Sequence, residues 1–292
     1  MATARIGVIG GSGLYDMPGL QDKEELALET PFGPPSDRFV LGTLEGERVA
    51  FLPRHGRDHR LLPSEVPSLA NIYAFKSLGV ERLISVSAVG SLCEPLVPGQ
   101  LVVPDQLVDR TKGVRPFTFF GGGIVAHVPF AHPLCSEVRG ALVAAVRAAG
   151  QSVVDAATYV VMEGPQFSTL AESEMHRAAG YDLIGMTALP EAKLAREAEL
   201  CYGILALVTD YDCWHPEHDS VTVEAVMSVM HRNVANAQAA LAALIPLLRG
   251  RRGCGCGHAL DHAIMTDPRA IPRDAYERLR PLIQHYLSRS TD

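Results

Sequence analysis

Short apolar runs alternate along the chain with longer stretches of helical periodicity. Arg5-Ile-Gly-Val-Ile-Gly10 is apolar, β-branched and closed by glycine, the pattern of an inner strand. Residues 39–44 and 48–53 are two more apolar runs flanking Glu45-Gly46, a hairpin-like pair. Ser64 can cap a helix in which Val66, Leu69, Ala70, Tyr73, Ala74 and Leu78 recur at helical spacing, and Gly79 ends it. Leu83 to Val86 predicts a buried strand that leads into Ser87-Ala-Val-Gly-Ser91. The same reading gives helices over 133–149, 170–179, 190–199 and 221–248, strands over 157–162 and 201–208, and a last helix over about 272–287. Alternation at this pace predicts an α/β layered fold. Gly121 to Gly123 marks a loop, and Gly250 to Gly257 a flexible joint. The simplest division is one domain over 1–248 and a C-terminal extension over 249–292 that carries Cys254-Gly-Cys256 and the terminal helix.

Composition narrows the partners. The chain of 292 residues is 47% hydrophobic and 20% charged, and its net charge of -7 argues against a basic nucleic-acid-binding face. No stretch approaches the roughly 20 apolar residues needed to cross a bilayer, and Met1 to Gly13 lacks the plan of a signal peptide. A cytoplasmic protein with no membrane partner is the expectation. In a reducing compartment Cys93, Cys135, Cys201 and Cys213 read as small core residues. Cys254 and Cys256 stay open between free thiols, pairing across subunits and metal binding, and no zinc-type set of four ligands stands out, so no metal site is assigned.

Candidate chemistry gathers where strands stop. Gly10-Gly-Ser-Gly13 can wrap an anion with its amides and the Ser12 hydroxyl, although a plain tight turn has the same pattern. Asp16 occupies the third glycine position of the dinucleotide fingerprint, which sets a nicotinamide enzyme aside. Arg54-His-Gly-Arg-Asp-His59 is either a phosphate-binding or a solvated basic loop; the planar fork of arginine suits phosphate. Ser87-Ala88, before Gly90, reads as another strand end of the kind where α/β sheets collect ligands. Asp210-Tyr-Asp212 closes the 201–208 strand. If it is extended, both carboxylates face one pocket and suit a 6-aminopurine, one donating to N7 and the other accepting from the amine; a hydrated turn is the alternative. Phe167 can stack on a base, Met186 can be an apolar wall or ordinary core, and Thr187 can donate to phosphate.

Taken together the segments resemble the methylthioadenosine phosphorylases of the trimeric purine nucleoside phosphorylase family. Ile-Gly-Gly-Ser-Gly-Leu at 9–14, Thr-Pro-Phe-Gly-Pro-Pro-Ser-Asp at 30–37, Arg-His-Gly-Arg-Asp-His at 54–59 and Ser-Ala-Val-Gly-Ser-Leu at 87–92 carry the likeness. Glu-Gly-Pro-Gln-Phe-Ser at 163–168, Met-Thr at 186–187 and Thr-Asp-Tyr-Asp-Cys-Trp at 209–214 complete it, in the family's order. The resemblance implies a single α/β domain with a central mixed sheet flanked by helices. It implies that Ser12, Arg54, His55, Ser87, Ala88 and Thr187 bind phosphate. Met186 then lies against the ribose, Phe167 and Ser168 border the base, and Val223 and His59 shape the pocket for the 5′-substituent. Asp210 and Asp212 become the catalytic pair that reads adenine. The implied reaction is reversible phosphorolysis of S-methyl-5′-thioadenosine to adenine and 5-methylthioribose 1-phosphate, a step of purine and methionine salvage that removes a by-product of polyamine synthesis. Inorganic phosphate is the co-substrate and no cofactor is implied; the assembly is a homotrimer or a dimer of trimers. Rival readings are a phosphorylase for 6-oxopurines, whose asparagine is missing here, and a non-catalytic nucleoside sensor.

Overall fold

The computed structural model describes residues 4–11, 13–14, 16–216 and 222–287, apart from a few side chains early in the last long helix. Their eleven strands form one mixed sheet, and six α-helices flank it. The strands are β1 (Ile6–Gly10), β2 (Gln21–Leu26), β3 (Phe39–Leu44), β4 (Glu47–Pro53), β5 (Arg82–Ser91), β6 (Leu101–Val102), β7 (Gln106–Arg110), β8 (Val153–Val154), β9 (Thr158–Met162), β10 (Leu183–Gly185) and β11 (Cys201–Asp210). The helices are α1 (Ser68–Ser77), α2 (Ser136–Ala148), α3 (Leu170–Ala178), α4 (Ala188–Glu197), α5 (Val223–Leu247) and α6 (Arg273–Ile283). No described helix is long and apolar enough to cross a membrane.

The hairpin read around Glu45-Gly46 is present: β3 and β4 pair antiparallel, with both turn residues at positive φ, 49° and 79°. The helix expected from Ser64 starts later, at Ser68, with Pro67 as its N-cap and no side-chain cap. Proline lacks the N–H and restricts the residue before it, so the helix cannot run through it from Ser64. Leu170 is preceded by Thr169, whose side chain forms a capping box with Glu172, and α3 starts where read.

Strand β5 organises the sheet. On one edge it pairs in parallel with β11 from Arg82 to Gly90. On the other it pairs with β1 over Arg82–Ser85 and then, antiparallel, with β10 at Gly90 and Ser91. Val86 to Val89 therefore have no strand partner on that second edge. This gap sits beside the carboxyl ends of β1 and β4, which lie parallel to one another.

The C-terminal segment completes the main core. Leu260, Ala263, Ile271, Ala275, Leu279, Leu282 and Ile283 are buried in one cluster with Phe75 of α1, Leu78 just after it, Phe119 and Ile124. The cysteines read separately also meet: the sulfurs of Cys135, Cys201, Cys254 and Cys256 all lie within 4.8 Å of one another. Nothing in the spacing along the chain displayed that set.

Candidate active site

Ser87 and Ala88 lie inside β5, not after it. The extended hydrogen-bonding with β11 carries the strand on to Ser91, five residues beyond the apolar run that predicted it. Val86 turns its carbonyl into the gap, where the Arg54 guanidinium donates to it at 3.1 Å. Backbone groups alternate sides along a strand, so Ala88 points its N–H into the same gap. Val89 faces the other way, and its carbonyl accepts from the Thr209 hydroxyl at 3.2 Å. Three hydroxyls, from Ser87, Thr187 and Tyr159, face this region. They are buried, and none closes a hydrogen bond with good geometry among the described residues. Buried hydroxyls in that state can donate to and accept from a polar molecule placed among them.

Arg54 follows β4, and its backbone N–H donates to Gly10 at the end of β1. Its side chain is 2% exposed. The planar fork read as a phosphate clamp is turned instead onto Glu191, with Nε donating to Oε1 at 2.5 Å and Nη2 to Oε2 at 3.1 Å. Nη2 also reaches Ser85 Oγ at 2.6 Å. A buried cation needs a counter-ion, and the carboxylate wins the bidentate face. One Nη1 hydrogen remains for a ligand. Burial works against the charge on Arg54, but attraction and hydrogen bonding to Glu191 exceed it and raise its pKa.

His55 lies beside Arg54 and stacks on His59 with ring centroids 4.5 Å apart. Its Nδ1 sits 2.9 Å from the Leu61 carbonyl, so that nitrogen carries the proton. Burial, and then the charge of Arg54, push its pKa down to about 4. A neutral ring with Nδ1–H leaves Nε2 as an acceptor. It can take a hydrogen bond from a protonated phosphate oxygen, but it supplies no charge.

The acid pair comes together by a different route from the one expected. Strand β11 stops at Asp210, and Asp212 turns into the left-handed region at φ 52°. The Asp212 N–H donates to Asp210 Oδ1 at 2.8 Å, and the Thr209 hydroxyl donates to Asp210 Oδ2 at 2.6 Å. Such a side chain–backbone link closes a tight turn, which strand alternation would not do. Both acids still flank Gly90: a Cβ there would lie 2.9 Å from Asp210 Oδ1 and 3.4 Å from Asp212 Cβ. Burial raises the Asp210 pKa from its ordinary value, although the bonds from Thr209 and Asp212 oppose it. Asp212 Oδ2 is buried and has no partner among the described residues.

On the far side, β10 delivers Met186 and Thr187 directly after Gly185, and its Ile184 pairs with Gly90. Ser168 lies near the acids, its carbonyl accepting from Cys213 Sγ at 3.4 Å. Phe167 and Val223, read as substrate-binding residues, are 42% and 68% exposed and make no described contact with the acid pair. Ser12 lies outside the described residues. The β5 gap thus gathers Arg54, His55, Ser87, Ala88 and Thr187 at one end and Asp210 and Asp212 at the other.

A family profile described as "Phosphorylase superfamily" matches residues 5–246. The chain belongs to the phosphorylase superfamily. Within it, the chain is 55% identical over 282 residues to the S-methyl-5′-thioadenosine phosphorylase of Geobacter sulfurreducens, covering 97% of this chain and 99% of that one. It is 59% identical over 288 residues to the enzyme of the same name from Chloroflexus aurantiacus, covering 99% and 100%. A methylthioadenosine phosphorylase crystal structure from an antarctic soil metagenomic library superposes with a TM-score of 0.91 at 49% identity, covering 97% of this chain and 99% of that one. The Schistosoma mansoni methylthioadenosine phosphorylase in complex with adenine gives 0.84 at 35% identity, covering 89% and 98%.

For this superfamily member, sequence reasoning passed over the groups that hold the site in place. Glu191, 1% exposed, binds Arg54 and accepts from the Tyr202 hydroxyl at 2.9 Å. Arg115 is buried against Glu163 at 2.6 Å and donates to the carbonyls of Met186 and Leu189. It thereby fixes the backbone at the residue expected to meet the sugar. An acid inside an otherwise apolar helical stretch, Ala-Leu-Pro-Glu-Ala at 188–192, was the available signal for Glu191.

Proposed function

We propose that this chain catalyses the reversible phosphorolysis of S-methyl-5′-thioadenosine, yielding adenine and 5-methylthioribose 1-phosphate, through the site in the β5 gap. The observation that carries the reading is the acid pair around Gly90. One carboxyl is held toward its protonated form by burial, and the other keeps a buried oxygen with no partner. Asp210 hands its proton to N7 of the departing purine, and Asp212 accepts from the 6-amino group. A bare carboxylate acceptor repels the O6 of a 6-oxopurine, which favours the aminopurine.

The glycosidic bond stretches first, and positive charge builds on the sugar. Phosphate in the gap, near the Ala88 N–H, the Ser87 and Thr187 hydroxyls, His55 and the remaining Arg54 hydrogen, attacks C1′ as that charge develops. Ser12, outside the described residues, keeps the phosphate-binding role that the family resemblance implies. Positioning and charge stabilisation supply most of the rate. Met186, fixed by Arg115, borders the ribose; Phe167 and Ser168 border the base; Val223 and His59 line the 5′ pocket. No cofactor takes part. The proposed assembly is a homotrimer in the cytoplasm, and the exposure of the apolar Phe167 and Val223 is consistent with a subunit contact there; sedimentation at working concentration tests the assembly.

Adenine release from methylthioadenosine, with and without phosphate and against inosine, tests the reaction. A nucleoside sensor would bind without releasing base, and a 6-oxopurine phosphorylase would prefer inosine. Asp210→Asn should cut kcat on methylthioadenosine by roughly 10²-fold, the scale of general acid catalysis. Near-normal turnover by that variant would remove Asp210 from the role.

A further inference from the structure

Four cysteines far apart in sequence meet on the opposite side of the fold from any role in this reaction. Cys135 is the N-cap of α2, Cys201 opens β11, and Cys254 and Cys256 flank Gly255 at the start of a single 3-10 turn. Cys254 Sγ lies 3.6 Å from Cys135 Sγ and 3.3 Å from Cys201 Sγ, and all four sulfurs fall within 4.8 Å of one another. A disulfide needs about 2.05 Å between its sulfurs, so neither of those two pairs is at bonding distance. A tetrahedral zinc thiolate, with Zn–S of about 2.3 Å, sets its sulfurs about 3.8 Å apart. The separations of 3.3 and 3.6 Å lie slightly below that value, and all the others fall within 4.8 Å.

We infer that Cys135, Cys201, Cys254 and Cys256 form a structural site for one divalent zinc-class metal ion, fastening the C-terminal segment to the sheet. The donor set is all sulfur and complete at four, which leaves no open position for catalysis and marks the site as structural. The binding step is M2+ plus four thiols giving a tetrathiolate of net charge 2− and four released protons. The surroundings suit that charge. Cys135 is the N-cap of α2, so the positive end of that helix lies beside the cluster. Arg5, Glu81, Arg251 and Arg252 line a surface cavity that Cys254 also borders, giving an approach for the ion; Arg5 is paired with Glu81 at 2.8 Å, so Arg251 and Arg252 are the cations that offset the thiolates. Arg252 is itself anchored, donating to the Glu199 carbonyl at 2.6 Å.

The full chain, purified anaerobically without chelator, is assayed for metal content and cysteine state together. The expected result is about one zinc per chain. Titration with a mercurial should release it in step with loss of the four thiolates. Cobalt exchanged into the same protein should give the visible bands and sulfur-to-metal charge transfer of a tetrathiolate. The Cys254→Ala/Cys256→Ala variant should lose the metal and unfold at lower temperature, with kcat/KM within about 2-fold of the parent because none of these sulfurs touches the β5 gap. Metal-free protein in which peptide mapping without reductant finds these cysteines joined in disulfides, or metal retained by the double variant, would overturn the assignment. The cobalt spectrum of the parent decides the matter if that variant fails to fold.

Discussion

Removing the Glu191 carboxylate should destabilise this protein far more than removing a surface charge. Arg54 and Glu191 are 2% and 1% exposed, and two hydrogen bonds of 2.5 and 3.1 Å join them. A bidentate pair sets its charge centres about 4 Å apart; at an effective dielectric constant of about 20, the attraction is about 4 kcal/mol. Glu191→Ala abolishes this and strands a guanidinium in the interior, for which the measured range is about 3–5 kcal/mol. Tyr202 also loses the acceptor of its buried hydroxyl. For a chain of this size, 4 kcal/mol corresponds to roughly 8 °C in Tm. The single tryptophan, Trp214, stands next to the acid pair and reports urea unfolding by fluorescence. The paired replacement Arg54→Met/Glu191→Leu should be more stable than Glu191→Ala alone, because charge and counter-charge leave together. A loss below about 1 kcal/mol for Glu191→Ala, or a double variant no better than the single, would refute the view that the carboxylate holds the cation in place.

Other expectations follow from the same site. His55 titrates near 4 in the folded chain against 6.5 when free, so between those values the unfolded state takes up the proton first. Stability should then fall as pH drops from about 6.5 to about 4, by about 3 kcal/mol in total from this group, and His55→Gln should flatten that part of the profile. A folded-state imidazole titrating above about pH 6 by NMR would contradict it. Asp212→Asn puts a donor where the unpartnered oxygen stood, and asparagine tolerates the left-handed backbone. The ratio of kcat/KM for methylthioadenosine over inosine should fall at least about 10-fold, and an unchanged ratio would place the amine elsewhere.

Legibility in the sequence followed local signals. Arg54 and Asp210 stand directly after apolar runs, so their place at strand ends could be read from periodicity. Where a strand stops, however, depends on its neighbours. Ser87 to Ser91 stay extended because β11 and β10 pair with them, which nothing in Ser-Ala-Val-Gly-Ser dictates. Strand β2, Gln-Asp-Lys-Glu-Glu-Leu, has no apolar alternation and owes its form to edge pairing with β3. Asp212 joins Asp210 through a turn closed by its own N–H, so the two acids meet by the turn that was the alternative reading and not by strand alternation. Glu191 left one signal, an acid in an apolar helical stretch, but its partner lies 137 positions away, and the four cysteines span 121 positions from Cys135 to Cys256, beyond local reading.

The burial of Leu260, Ile271, Leu279 and Ile283 against α1 has a consequence for biosynthesis. Every strand of the sheet leaves the ribosome before those residues do, so the part of α1 that α6 packs against stays uncovered until they arrive. During translation the sheet therefore waits with a sticky flank exposed, the situation in which chaperones engage nascent chains. Synonymous codon changes that slow elongation ahead of position 260 should lengthen that vulnerable interval without altering a single side chain.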